Sequence, residues 1–132
     1  MNPVRISAWT VTSALGRGRD ALWQALRGAR TGLAPEAFDG ADIECWIGRV
    51  AGLEAASLEN EWASWDCRNN RLAELALTQD GFATAADLAR RRYGPVRVAV
   101  FLGTSTSGVL QTEYAYRGRK VPDGALPAWF DY

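Results

Sequence analysis

Histidine is absent from the 132 residues. That absence removes the imidazole base of every Ser-His and Cys-His nucleophile, so no such pair can be built from this chain alone. It also removes zinc sites based on His, and the two cysteines, Cys45 and Cys67, cannot complete a tetrahedral thiolate site. They form no CxxC pair, so they read as reduced thiols rather than a disulfide. Lys120 is the only lysine. Fifteen basic residues cancel fifteen acidic ones, and a zero balance argues against nucleic acid or an anionic membrane as the main partner. No stretch approaches the roughly 18 apolar residues of a membrane span. The opening MNPVRISAWT lacks the charged start and long apolar centre of a signal peptide. A cytoplasmic location is therefore the expectation.

What is present is an ordinary globular composition, 48% apolar and 23% charged, enough for one domain. Val4, Ile6 and Ala8 alternate with Arg5, Ser7 and Trp9, a period of two that predicts a strand over about 3–11. A turn-rich TSALGRG follows. Leu22, Trp23, Ala25, Leu26 and Ala29 share one helical face, with Asp20 as a cap and Gly28 or Gly32 as a stop. Residues 31–42 read as loop. Ile47 and Val50 suggest a second strand over 45–53. Asp66 is placed to cap a long helix over about 68–92, with Leu72, Leu75, Ala76, Phe82, Ala83, Ala86, Ala89 and Tyr93 in phase and Gln79 as the one break. Gly94 and Pro95 end it. From Val98 to Leu102 every residue is apolar, as in a strand covered on both faces. A helix over 108–116 and a loop over 117–127 complete the pass. Strands alternating with helices predict an α/β fold with layered packing.

Three segments carry possible chemistry. Gly103-Thr-Ser-Thr-Ser-Gly108 begins like a phosphate loop, but Val109 and Leu110 stand where the Lys and Ser/Thr belong. It also fails as a nucleophile elbow, because Ser107 replaces the second glycine. Gly16-Arg-Gly18-Arg-Asp-Ala21 has the form of a dinucleotide fingerprint, with Asp39 about 20 residues on, though a glycine-rich turn explains it equally. Cys67 at a helix start could be a low-pKa thiol or a buried inert one. The six tryptophans read as core or interface residues, and Trp62 with Trp65 as a local aromatic patch.

Four segments together resemble the N-terminal part of the β-ketoacyl-acyl-carrier-protein synthases, condensing enzymes of the thiolase-like fold. VTSALGRGRDALWQALRGARTGL is similar to the family's first strand, its Ser-x-Leu-Gly bend and its Trp-x-x-Leu helix, with Thr31 replacing the serine of the closing Gly-Arg-Ser-Gly. IGRVAGL is similar to the second strand, DCRNNRLAELAL to the long helix, and VRVAVFLGTSTSG to the strand and glycine turn before the active-site region. The likeness spans nearly the whole chain, and implies the first part of the N-terminal half of an α-β-α-β-α layered fold. It implies partners too: an acyl carrier protein, acyl and malonyl thioesters, and a second ketosynthase or ketosynthase-like chain in a dimer.

By the same resemblance Thr106 falls where the family places a residue gating entry of the acyl chain. A β-branched side chain with few rotamers suits a stop; capping of the next helix by the same hydroxyls is the plainer alternative. The family's Cys nucleophile accepts the acyl group and two His assist decarboxylation of the malonyl carrier. None of the three matches a residue here, so no catalytic residue, metal or cofactor is assigned. The chain is expected to be an incomplete front segment, inactive in condensation by itself. A non-catalytic chain-length partner subunit and a self-standing α/β binding module, oligomeric through its aromatic Trp129–Tyr132 tail, are the alternatives.

Overall fold

The strand alternation expected near the start finds no partner, and this decides how the fold begins. In the computed structural model, which describes residues 5–37, 43–104, 108–119 and 124–130, no strand forms over residues 5–11. Ile6 and Trp9 stay exposed there. Pairing starts only where a tight turn brings the chain back on itself: β1 (Thr12–Ser13) runs antiparallel to β2 (Gly16–Arg17), with Thr12 opposite Arg17 and Ser13 opposite Gly16. The Ser13 hydroxyl accepts the Leu15 N–H at 3.2 Å and fixes the turn, as short hydroxylated side chains do. Gly16 has a φ of +138°, and a Cβ on it would lie 2.6 Å from the Cβ of Ala21. Only glycine lets the hairpin sit so close to the helix that follows.

That helix, α1 (Arg19–Arg27), starts one residue before the expected cap and stops at Gly28 as expected. Asp20 lies in its first turn, where a carboxylate suits the positive end of the helix. The N-cap is Gly18, which has no side chain to offer. The missing acceptor comes from far along the chain. Both oxygens of Asp80 accept the Arg19 N–H, at 2.9 and 3.2 Å, and the Thr10 hydroxyl donates to the same carboxylate at 2.8 Å.

Residues 33–37, expected as loop, are β3 (Leu33–Ala37), paired antiparallel with β4 (Glu44–Gly48) from Leu33 opposite Gly48 to Ala37 opposite Glu44. Pro35 reads against a strand, but a two-stranded ribbon is all edge and can spare its N–H. Beyond Gly48 the expected second strand gives way to a turn closed over Leu53, which is 1% exposed and accepts the Ala56 N–H.

The long helix is two helices, α2 (Arg68–Leu77) and α3 (Phe82–Tyr93). Asp80 and Gly81 are both left-handed, with φ of 56° and 68°, which ends one helix and starts the next. Gln79, the break in the apolar stripe, donates from its amide to the Leu75 carbonyl at 2.8 Å and satisfies the end of α2. Gly94 closes α3 as expected. The run after Pro95 is the larger correction. Residues 95–97 make a short 3-10 turn, and 98–101 take no regular structure although Val98 has extended dihedrals. A strand covered on both faces needs neighbours on both sides, and among the described residues it has none.

Residues 1–101 and 102–132 form separate compact units. In the second, α4 (Val109–Arg117) matches the helix expected there and buries Ala115 completely. Pro127 approaches Gly118 at its C-terminal end, and Trp129 meets Phe130 edge to face at 6.0 Å. Among the described residues the architecture is thus mixed helix and strand, with two small antiparallel sheets. No helix among the described residues is long and apolar enough to cross a membrane.

Asp80 is the test of this arrangement. Partial burial raises its pKa, but the Thr10 hydroxyl, the Arg19 N–H and the Arg19 charge together hold it below the ordinary value. Asp80→Asn keeps an acceptor and tolerates the left-handed backbone; Asp80→Ala loses both. The alanine variant is expected to unfold in urea with about 1–2 kcal/mol less stability than the asparagine variant, the scale of a lost helix cap. Equal midpoints for the two would contradict the capping role.

Candidate functional site

The chain segment between β4 and α2 buries Leu53, is rich in side-chain ties, and frames an open cleft. Residues 60–65 form a 3-10 helix entered through Asn60, whose left-handed φ of 56° suits an asparagine. The next residue, Asp66, was expected to cap α2. Its carboxylate does something else: Cys67 is the N-cap, without a side-chain hydrogen bond, and Asp66 reaches backward and forward. One oxygen accepts the Leu58 N–H at 3.0 Å and the Arg71 Nε–H at 2.7 Å, while the other meets Arg71 Nη2 at 2.6 Å. This two-point fork is the geometry in which guanidinium and carboxylate bind best. A second tie runs from the Asn70 amide to the Trp65 carbonyl at 2.8 Å, and a third from Arg68 to Glu54 at 2.9 Å.

The Arg71 hydrogen bond, helped by the Leu58 N–H, pulls the Asp66 carboxyl from 3.8 to about 2, and the same pairing raises Arg71. The result is a fixed frame of loop, 3-10 helix and α2. Between them lies an open cleft of about 670 Å³, walled by residues 57–60, by Trp62 and Trp65, and by Asn70, Ala73, Glu74 and Leu77 of α2. The last four follow helical spacing, so one face of α2 forms the wall.

Another cleft, about 500 Å³, lies between the β1–β2 turn and residues 29–33. Its two hydroxyls are already engaged, Ser13 with the Leu15 N–H and Thr31 with the Leu33 N–H.

The residues singled out in the sequence fall as follows. Thr106, the expected acyl gate, lies outside the described residues, as do Ser105 and Ser107. Gly103 and Thr104 are exposed and without regular structure. The glycines of the GxGxxA stretch build the close turn before α1, and the position a pyrophosphate would take at that helix start is held by the Asp80 carboxylate. Cys67 is a half-buried free thiol at the start of α2, and Cys45 is likewise free. The core reading of the tryptophans is overturned: all six are more than half exposed. Trp62 and Trp65 do share a site, as their spacing suggested. Glu59, Asn70 and Glu74 were missed, although the spacing of Asn70, Ala73, Glu74 and Leu77 was legible. Scans against family models, curated proteins and solved structures find no match to this chain.

The Asp66 frame carries a pH dependence. A carboxyl pulled below its ordinary value stabilises the fold in full above about 4 and loses that contribution as pH falls toward 2. Near-ultraviolet circular dichroism of the tryptophans should therefore lose intensity over that window in the native chain. In Asp66→Asn the signal should already be weaker at neutral pH, and the acid change smaller. Identical acid profiles would contradict the frame.

Proposed function

We propose that this chain supplies the front part of a β-ketoacyl-acyl-carrier-protein synthase. In that reading the 132 residues open a thiolase-like layered fold, and the Cys and His residues of decarboxylative condensation come from sequence outside them. Thr106 stands by the acyl pocket, and the whole enzyme exchanges thioesters with an acyl carrier protein as a dimer. The support is the order and spacing of four sequence segments, from the Ser-x-Leu-Gly bend to the GTSTSG turn.

One structural observation favours it. The apolar run before that turn leaves Val96, Val100, Phe101 and Leu102 between 55% and 95% exposed. A segment so apolar on alternate faces suits an interior strand with neighbours on both sides, which is the place the resemblance gives it. The Trp-x-x-Leu helix behaves likewise: Trp23 and Leu26 of α1 are exposed at 58% and 61%, a face suited to cover by further sheet or helix.

The reading frame of the encoding gene beyond Tyr132 tests this directly. An Ala-Cys-Ser-like segment followed by two downstream His supports an active enzyme. The same fold pattern with the Cys replaced makes the chain part of a non-catalytic partner subunit, and overturns the enzymatic claim. A stop codon directly after Tyr132 overturns the whole reading in favour of a small binding module. The purified 132 residues, given acyl and malonyl carriers, are expected to form no β-ketoacyl product, and product formation would contradict the proposal.

A further inference from the structure

Aromatic rings in this chain meet guanidinium groups repeatedly. Arg19 lies 5.6 Å from the Trp9 ring centre, Arg27 5.9 Å from that of Trp23, and Arg92 5.2 Å from that of Tyr93. These are cation–π distances. The rings of Trp62 and Trp65 have no such arginine among the described residues, though both are at least 60% exposed. The nearest arginines along the chain are committed elsewhere, Arg71 to Asp66 and Arg68 to Glu54.

The same cleft carries unbalanced negative charge. Glu59 and Glu74 both line it, and neither forms an ion pair among the described residues. Among the described residues no Lys or Arg lines it. Two exposed indoles and two uncompensated carboxylates on one cleft make a site for a cation from outside. Its remaining walls say which kind. Leu58, Ala73 and Leu77 are apolar, Ser57 and Asn60 are polar, and the Asn70 amide is taken by the Trp65 carbonyl. A primary ammonium is a compact, strongly hydrated charge, and against the indoles and apolar side chains it would give up water without a hydrogen bond in return. A methylated cation gives up little water and presents apolar surface to the indoles.

We propose that the cleft between the 60–65 turn and α2 binds a quaternary ammonium group, its methyls against Trp62 and Trp65 and its charge balanced by Glu59 and Glu74. The site stands apart from the condensing-enzyme reading and does not depend on it. The Asp66–Arg71 frame positions it from behind, holding the turn that carries both indoles against the helix that carries Glu74.

The test uses the 132-residue chain and two probes of one shape: choline, and its uncharged carbon analogue with a tert-butyl group in place of the trimethylammonium. Heteronuclear NMR follows the six indole N–H signals, assigned by single Trp→Phe variants. Choline should shift the Trp62 and Trp65 signals saturably in the millimolar range and leave the other four still, while the analogue should not saturate. The double variant Glu59→Gln/Glu74→Gln should weaken choline binding about tenfold, corresponding to about 1.4 kcal/mol. Both glutamates are exposed and unpaired, so the backbone spectrum should show the variant folded. Equal response to the two probes, no saturable shift with choline, or unchanged affinity in the folded double variant would each overturn the proposal.

Discussion

An apolar side chain stabilises a fold only where water leaves it, at roughly 25 cal/mol per Å². Here Ala25, Leu53 and Ala115 are the apolar residues fully withdrawn among those described, and Leu53 is the one large side chain in that group. Each of the six tryptophans keeps more than half of its surface in water. Exposing one large apolar side chain forgoes about 1.5–3 kcal/mol, so the chain leaves much of its own driving force unused. Two-residue strands, a ribbon of two edges and a run of valines without a sheet are what such a shortage allows.

Carboxylates hold positions that a core would otherwise hold. Asp80 ties the start of α1 to Thr10 from the junction of two later helices. Asp66 clamps Leu58 and Arg71 around the 3-10 turn. Both groups are only partly shielded from water, and screening limits what each can contribute. They fix geometry more than they supply stability. The outcome is local order with open apolar surface, in which a cleft can be well framed while an apolar run stays outside any sheet.

The sequence was readable where local chemistry decides. α1, α4 and the stops at Gly28 and Gly94 follow from periodicity and glycine placement, and two distant cysteines read as free thiols because no pairing pattern joins them. It misled where partners decide. Val98–Leu102 has the composition of a strand, but composition supplies no neighbour, and residues 5–11 fail for the same reason. Leu33–Ala37 forms a strand despite Pro35 because β4 is there to pair with it. Gln79 marked the break between α2 and α3; its phase error was a helix end, and reading through Gly81 missed the left-handed Asp80. Of the site, the Trp62–Trp65 pair was visible by spacing. The role of Asp66 was not, because a residue before a helix reads first as its cap and nothing local points to Leu58.

The central claim is that residues 98–104 take no regular structure here for want of strand neighbours, and that, under the proposed reading, further sheet would pair them. Hydrogen exchange of those backbone amides tests it most directly, in the 132 residues and in any longer product the reading frame encodes. Near-unprotected exchange is predicted in the first and strong protection in the second. Protection already present in the 132 residues, or none in the longer product, would contradict the account.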